Sequence, residues 1–140
     1  MKQFIYLTLF LSTLFSQNYS LDFDGYNDYV NCESPQLQIN GPLTYSTWIY
    51  LEGSSNVSGI MGRGSAFSGS PQWEASLMAI SWDNSNQGRV LFEISNGEND
   101  SYILSNALIS INEWHYITCT WDGTASDNSL KIYINGSTIL

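Results

Sequence analysis

The stretch WHYITCTWDGTASDNSLKIYING, from Trp114 to Gly136, decides the fold of this chain. Successive side chains of an extended chain point to opposite faces, and Trp114–Trp121 and Leu130–Asn135 both alternate, so each reads as a strand. In the first strand Ile117, Cys119 and Trp121 share the face expected to turn inward, and His115 falls in step with them. A polar loop joins the two strands. Asn135-Gly136 takes positive φ at successive residues at little steric cost, so a tight hairpin and a further strand are expected after it. The chain stops at Leu140, a few residues into that strand, so the fold reads as incomplete at its C-terminal end.

A length of 140 residues suits one domain with its own core. Aromatic residues make up 14% of the chain, which favours strands or binding faces over helices. Four Lys and Arg stand against thirteen Asp and Glu, a formal net charge of −9. Phosphate backbones are bound through Lys and Arg, so nucleic acid is excluded as a partner, and anionic membranes with it. An acidic chain offers hard oxygen ligands for calcium, and the plainer consequence of the same charge is solubility.

The N-terminus reads MKQFIYLTLFLSTLFSQ. Lys2 followed by the apolar run Phe4–Phe15 is the pattern of a secretory signal peptide over residues 1–16, with a mature chain of 17–140. The run is shorter than the ~20 residues a membrane span needs, so no membrane insertion is expected once it is removed. The other reading is a buried first strand, which the absence of any charge or turn residue in the run disfavours. Export places the protein outside the cell or at its surface, where disulfides form. Cys32 shares a strand face with Val30, and Cys119 with Ile117, so both thiols are expected to point inward. They are either bridged, closing a long loop at ~4 to 5 kcal/mol of chain entropy, or two buried thiols acting as small hydrophobes.

Between these landmarks short apolar segments alternate with turn clusters. Strands are expected at Tyr19–Phe23, Asp28–Cys32, Leu43–Leu51, Gly59–Arg63, Glu74–Trp82, Arg89–Ser95 and Ser101–Leu104. Leu43–Leu51 carries aromatic residues on both faces, as in a central strand covered on each side or a strand lining a cleft. Many short strands with turns at this spacing, and no repeat or linker, give an all-β class and a two-sheet antiparallel sandwich.

LDFDGYNDYV (Leu21–Val30), GPLTYSTWIY (Gly41–Tyr50), WHYITCTWDG and KIYING, in that order, resemble the landmarks of the laminin-G-like, concanavalin A-like jelly-roll family. The resemblance covers essentially the whole mature chain. It implies a two-sheet jelly roll in a secreted or surface module that binds glycans or other proteins, sometimes with calcium. It also implies further strands beyond Leu140. Fold alone does not assign function, because the same architecture hosts lectins, adhesion modules and glycosidases.

Catalysis on this fold would require two carboxylates on one face. No Glu-x-Asp-x-Glu triplet exists; Glu93 is alone in its strand, and Glu98 with Asp100 falls in the turn SNGEND. The single histidine, His115, lacks a Gly-x-Ser-x-Gly elbow and zinc-ligand spacing, and reads as a packed strand residue. No enzyme is therefore expected. The acidic turn DFDGYNDY could hold calcium through Asp24, Asn27 and Asp28, but the same residues also suit turn hydrogen bonds. For glycan stacking, Trp73 and Trp82 lie at strand ends where a platform would be accessible, with burial as the alternative. Trp48, Trp114 and Trp121 sit inside the family landmarks and are expected in the core. Three functions remain open: a non-catalytic module recognising glycans or extracellular surface partners, an ancillary domain at the front of a larger secreted hydrolase or adhesin, and a structural spacer.

Overall fold

A computed structural model describes residues 19–32, 41–53, 57–63, 75–83, 87–95, 100–126 and 128–139. The chain divides into two compact units, Met1–Ser34 and Pro35–Leu140.

Alternating apolar and polar side chains make the second unit all-β among the described residues. Its strands are β1 (Leu43–Tyr50), β2 (Val57–Arg63), β3 (Ala75–Trp82), β4 (Gly88–Ser95), β5 (Asp100–Leu104), β6 (Trp114–Trp121), β7 (Leu130–Ile134) and β8 (Ser137–Ile139). They form two antiparallel sheets of four, ordered β1-β6-β7-β8 and β2-β3-β4-β5. The second sheet is a meander of neighbours in sequence. In the first, β1 passes over four intervening strands to pair with β6, from Leu43↔Trp121 to Tyr50↔Trp114.

Asn135 (φ 52°) and Gly136 (φ 82°) are both in the left-handed region, so the expected two-residue hairpin forms and Ile134 pairs with Ser137. Upstream, Asn112 (φ 65°) turns the chain into β6 while its N–H bonds the Leu51 carbonyl, tying the start of β6 to the end of β1.

Inward side chains of both sheets form one core. Met78, Ile80, Val90 and Phe92 come from the second sheet, and Ile117, Cys119, Leu130 and Ile132 from the first. Tyr45 of β1 meets Phe92 edge-on at 6.2 Å across the sandwich and bonds the Ser76 hydroxyl. At that size an aromatic contact adds about 1 kcal/mol to the burial of the two rings. Ile109, on the connection between β5 and β6, is also buried and bridges to Gly88. The expected inward face of β6 is correct in the structure: His115, Ile117 and Cys119 are buried.

Two expectations fail in the first unit. Tyr19–Phe23 and Asp28–Cys32 are not strands. Their aspartates capture nearby backbone instead: the Tyr26 N–H donates to Asp24 Oδ1 (2.8 Å) and the Asp24 N–H to Asp28 Oδ2 (2.9 Å). Local side-chain bonds of this kind compete with strand ladders. Cys32 is accordingly exposed rather than inward, and Cys32 and Cys119 are both free thiols, so the bridge is not formed in the structure. The apolar run of residues 4–15 and the signal cleavage point lie outside the described residues.

Candidate functional site: an aromatic shelf on the first sheet

The register of β1 against β6 brings four aromatic residues together on the outer face of the first sheet. Trp48 stands opposite Tyr116, and Tyr50 opposite Trp114. Ring centroids are 5.1 Å apart in the first pair, tilted by 37°, and 5.5 Å in the second, tilted by 52°. Side chains this large are ordinarily buried, yet Trp48 is 61% and Trp114 52% exposed. The expectation that these two tryptophans are core is corrected here. Each lies on the parity opposite to the inward residues of its strand, Tyr45 and Ile49 in β1 and Ile117 and Cys119 in β6. Trp121, on the inward parity, does pack against the core and donates its indole N–H to the Thr124 carbonyl. β1 is the end strand of its sheet among the described residues, so its outward aromatics are not those of a covered central strand.

The shelf borders an open depression of about 480 Å³, lined by Trp48, Trp114, Tyr116, Asn135 and Gly136. That volume falls within the range of small-ligand sites. The hairpin turn forms one wall and is locked to the shelf. The Asn135 N–H bonds the Tyr116 carbonyl (2.8 Å), and Asn135 Oδ1 accepts the Tyr116 N–H (2.9 Å), so the side chain extends the ladder past the end of β7. On the other side, the Ser46 hydroxyl donates to the Tyr116 phenol oxygen (2.6 Å) and lies 3.0 Å from Thr118 Oγ1. Hydrogen bonds from Ser46 and then Thr118 hold the Tyr116 phenol below its ordinary pKa.

Trp82 is half-buried against the core and donates its indole N–H to Ser58 Oγ at 2.9 Å. Its ring covers Gly88, where a Cβ would lie 3.1 Å from two of the ring carbons. Burial, the alternative weighed for it, describes this residue better than an open platform. Trp73 lies outside the described residues. Asp24 and Asp28 use carboxylate oxygens on turn N–H groups, and no group of three or more His, Cys, Asp or Glu that could hold a metal occurs among the described residues. In the loop after β6, Asp122 Oδ1 accepts both the N–H and the hydroxyl of Thr124, which lowers its pKa.

His115 is buried, with Nε2 3.1 Å from the Ser110 carbonyl, an arrangement that places the hydrogen on Nε2. Its Nδ1 is buried without a hydrogen-bond partner. Glu93 is less isolated than its strand suggested. Glu93 pairs with Tyr102 and Ser95 with Asp100, so both carboxylates share the outer face of the second sheet in diagonal positions. Burial, and secondly the charge of Asp100, raise the Glu93 carboxyl above its usual pKa.

A family model matches residues 24–139, and the chain belongs to the concanavalin A-like lectin/glucanases superfamily. No curated protein and no solved structure matches it. The superfamily holds both lectins and glucanases, and membership suggests a domain that binds carbohydrates or proteins. Among the described residues no helix is long and apolar enough to cross a membrane.

Proposed function

We propose that this domain is a non-catalytic binding module that takes up carbohydrate on the shelf of Trp48, Tyr50, Trp114 and Tyr116. The observation that carries the reading is the exposure of four rings in two facing pairs beside a cluster of hydroxyl groups. The flat C–H face of a sugar stacks on an aromatic ring while polar groups at the margin fix its orientation. Export, for which the apolar run Phe4–Phe15 is the signal, would place such a module among extracellular glycans.

Screening the protein against immobilised glycans tests this, with Trp48→Ala and Trp114→Ala as variants. Each truncation is expected to weaken retention about tenfold, as loss of about 1.4 kcal/mol of stacking would. Retention unchanged in both variants would remove the shelf as the site. EDTA treatment tests the calcium call separately: unchanged retention is expected from stacking, which needs no cation, and EDTA-sensitive retention would point to a bound cation, with Asp24, Asn27 and Asp28 as its candidate ligands.

The glucanase side of the superfamily gives a second reading a definite place to reside. Glu93 and Asp100 are the carboxylates on a shared face that a hydrolytic activity would use. Incubation with soluble glucans is expected to release no reducing ends. Release that Glu93→Gln abolishes would replace the binding reading with an enzymatic one.

A further inference from the structure

The chemistry of the shelf specifies its ligand more narrowly, on the premise that the shelf is the binding site. We propose that the ligand is an uncharged oligosaccharide of at least two linked pyranose units, lying along β1 and β6.

Charge is the first ground. Every outward position of β1 from Thr44 to Tyr50, and of β6 from Trp114 to Thr120, is aromatic or hydroxylated. Lys131 is the only Lys or Arg on the strands of the first sheet; it pairs with Thr120, away from Trp114, and lies close enough to Asp122 to stabilise that carboxylate. A sulfate or uronate on the aromatic pairs would therefore have no cation beside it, Lys131 standing at the far end of the sheet, and would approach a chain of net charge −9. Like-charge juxtaposition disfavours such partners. A quaternary ammonium group is drawn to aromatic faces as well, but it is best held by rings that enclose it. These rings lie as two tilted pairs on an open sheet, forming a shelf and not a cage.

Length is the second ground. Trp48 and Tyr50 are two residues apart, and so are Tyr116 and Trp114, which sets the two pairs roughly 7 Å from each other along the strands. One pyranose covers one pair. Using both requires linked rings.

Hydrogen-bonding capacity is the third. The Tyr116 oxygen accepts from Ser46 and leaves its own hydrogen to donate. Among the described residues Asn135 uses only its carbonyl oxygen, leaving the amide N–H groups at the wall of the depression. These donors suit sugar hydroxyls acting as acceptors.

The test is a titration of the full chain, read by tryptophan fluorescence and by the NMR shifts of the indole N–H groups, using methyl β-glucoside, cellotetraose, a heparin tetrasaccharide and choline as probes. Cellotetraose is expected to bind at least about tenfold more tightly than the monosaccharide and to shift the Trp48 and Trp114 indoles. Its affinity is expected to stay constant as salt is raised, because no charge is paired. Trp48→Ala and Trp114→Ala should each remove most of the tenfold advantage with circular dichroism unchanged. The indole shifts are read in the unaltered protein, so they decide the matter even where a variant misfolds. Tighter, salt-sensitive binding of the heparin fragment at these indoles would overturn the uncharged class and leave the shelf as the site. Equal affinity for monosaccharide and tetrasaccharide would overturn the two-unit ligand, and a response to choline alone would overturn carbohydrate. Failure of every probe to move either indole would overturn the shelf reading itself.

Discussion

Asn135 joins the fold to the site through a single side chain. Its positive φ makes the hairpin, and its carbonyl oxygen takes the N–H of Tyr116, the residue at the centre of the shelf. Asn135→Ala is expected to cost about 2 kcal/mol, combining left-handed strain with the lost acceptor. Asn135→Gly keeps the torsion and loses only the bond, so about 1 kcal/mol is expected. Urea denaturation of the two variants separates these contributions. Glu93 provides a second test at this scale. Its raised pKa means that the folded state holds its proton more firmly than the unfolded state. Its contribution to stability is therefore complete below the ordinary glutamate range and is lost as pH rises through the raised value. Glu93→Gln is expected to raise the melting temperature at pH 7 relative to the parent, and the gain should vanish near pH 4. A gain independent of pH would point away from ionisation.

Among the elements, β6 was legible almost completely. Alternation located its ends and its inward face, and both hold in the structure. β1 was legible in extent, but the role of its outward face was not. Alternation separates Thr44, Ser46, Trp48 and Tyr50 from Tyr45 and Ile49 without saying which set meets solvent when both carry aromatic rings. The segments at Tyr19–Phe23 and Asp28–Cys32 were misread because their apolar pattern suits a strand while Asp24 and Asp28 bond local N–H groups. The pairing of β3 with β4 leaves a sharp constraint at Gly88, where a Cβ would lie 2.4 Å from Ile80 Cγ2 and 3.1 Å from the Trp82 ring. Gly88→Ala is expected to cost about 1 to 3 kcal/mol through overpacking. Guanidinium unfolding, with a shift of tryptophan emission as Trp82 is displaced, checks it.

For the molecule as a whole, the two thiols report on the integrity of the sandwich. Burial pushes the Cys119 thiol up to about 12, while Cys32 is exposed. One thiol is expected to react rapidly with a disulfide reagent in the native protein and two after denaturation. No reactive thiol in either state would reveal a bridge. The same burial predicts that Cys119 favours the fold below the thiol range, with this contribution lost as pH rises from about 9 to about 12, where only the unfolded chain ionises readily. Cys119→Ala should flatten that part of the stability profile.

Local chemistry within the sequence determined the class of fold, most strand limits and the Asn135-Gly136 hairpin, because alternation and turn torsions act between residues close along the chain. Only the tertiary structure decided the shelf. It depends on β1 pairing with β6 across more than sixty residues, in the register that sets Trp48 against Tyr116 and Tyr50 against Trp114. A shift of one residue would carry those rings to the other face of their neighbours. Pairing over that distance is chosen by how both sheets fill one core, and no local pattern encodes it. The same long-range packing turned two tryptophans expected inside into the most exposed rings of the first sheet, and so brought a candidate site on the outer face of β1 and β6 into view that the sequence did not show.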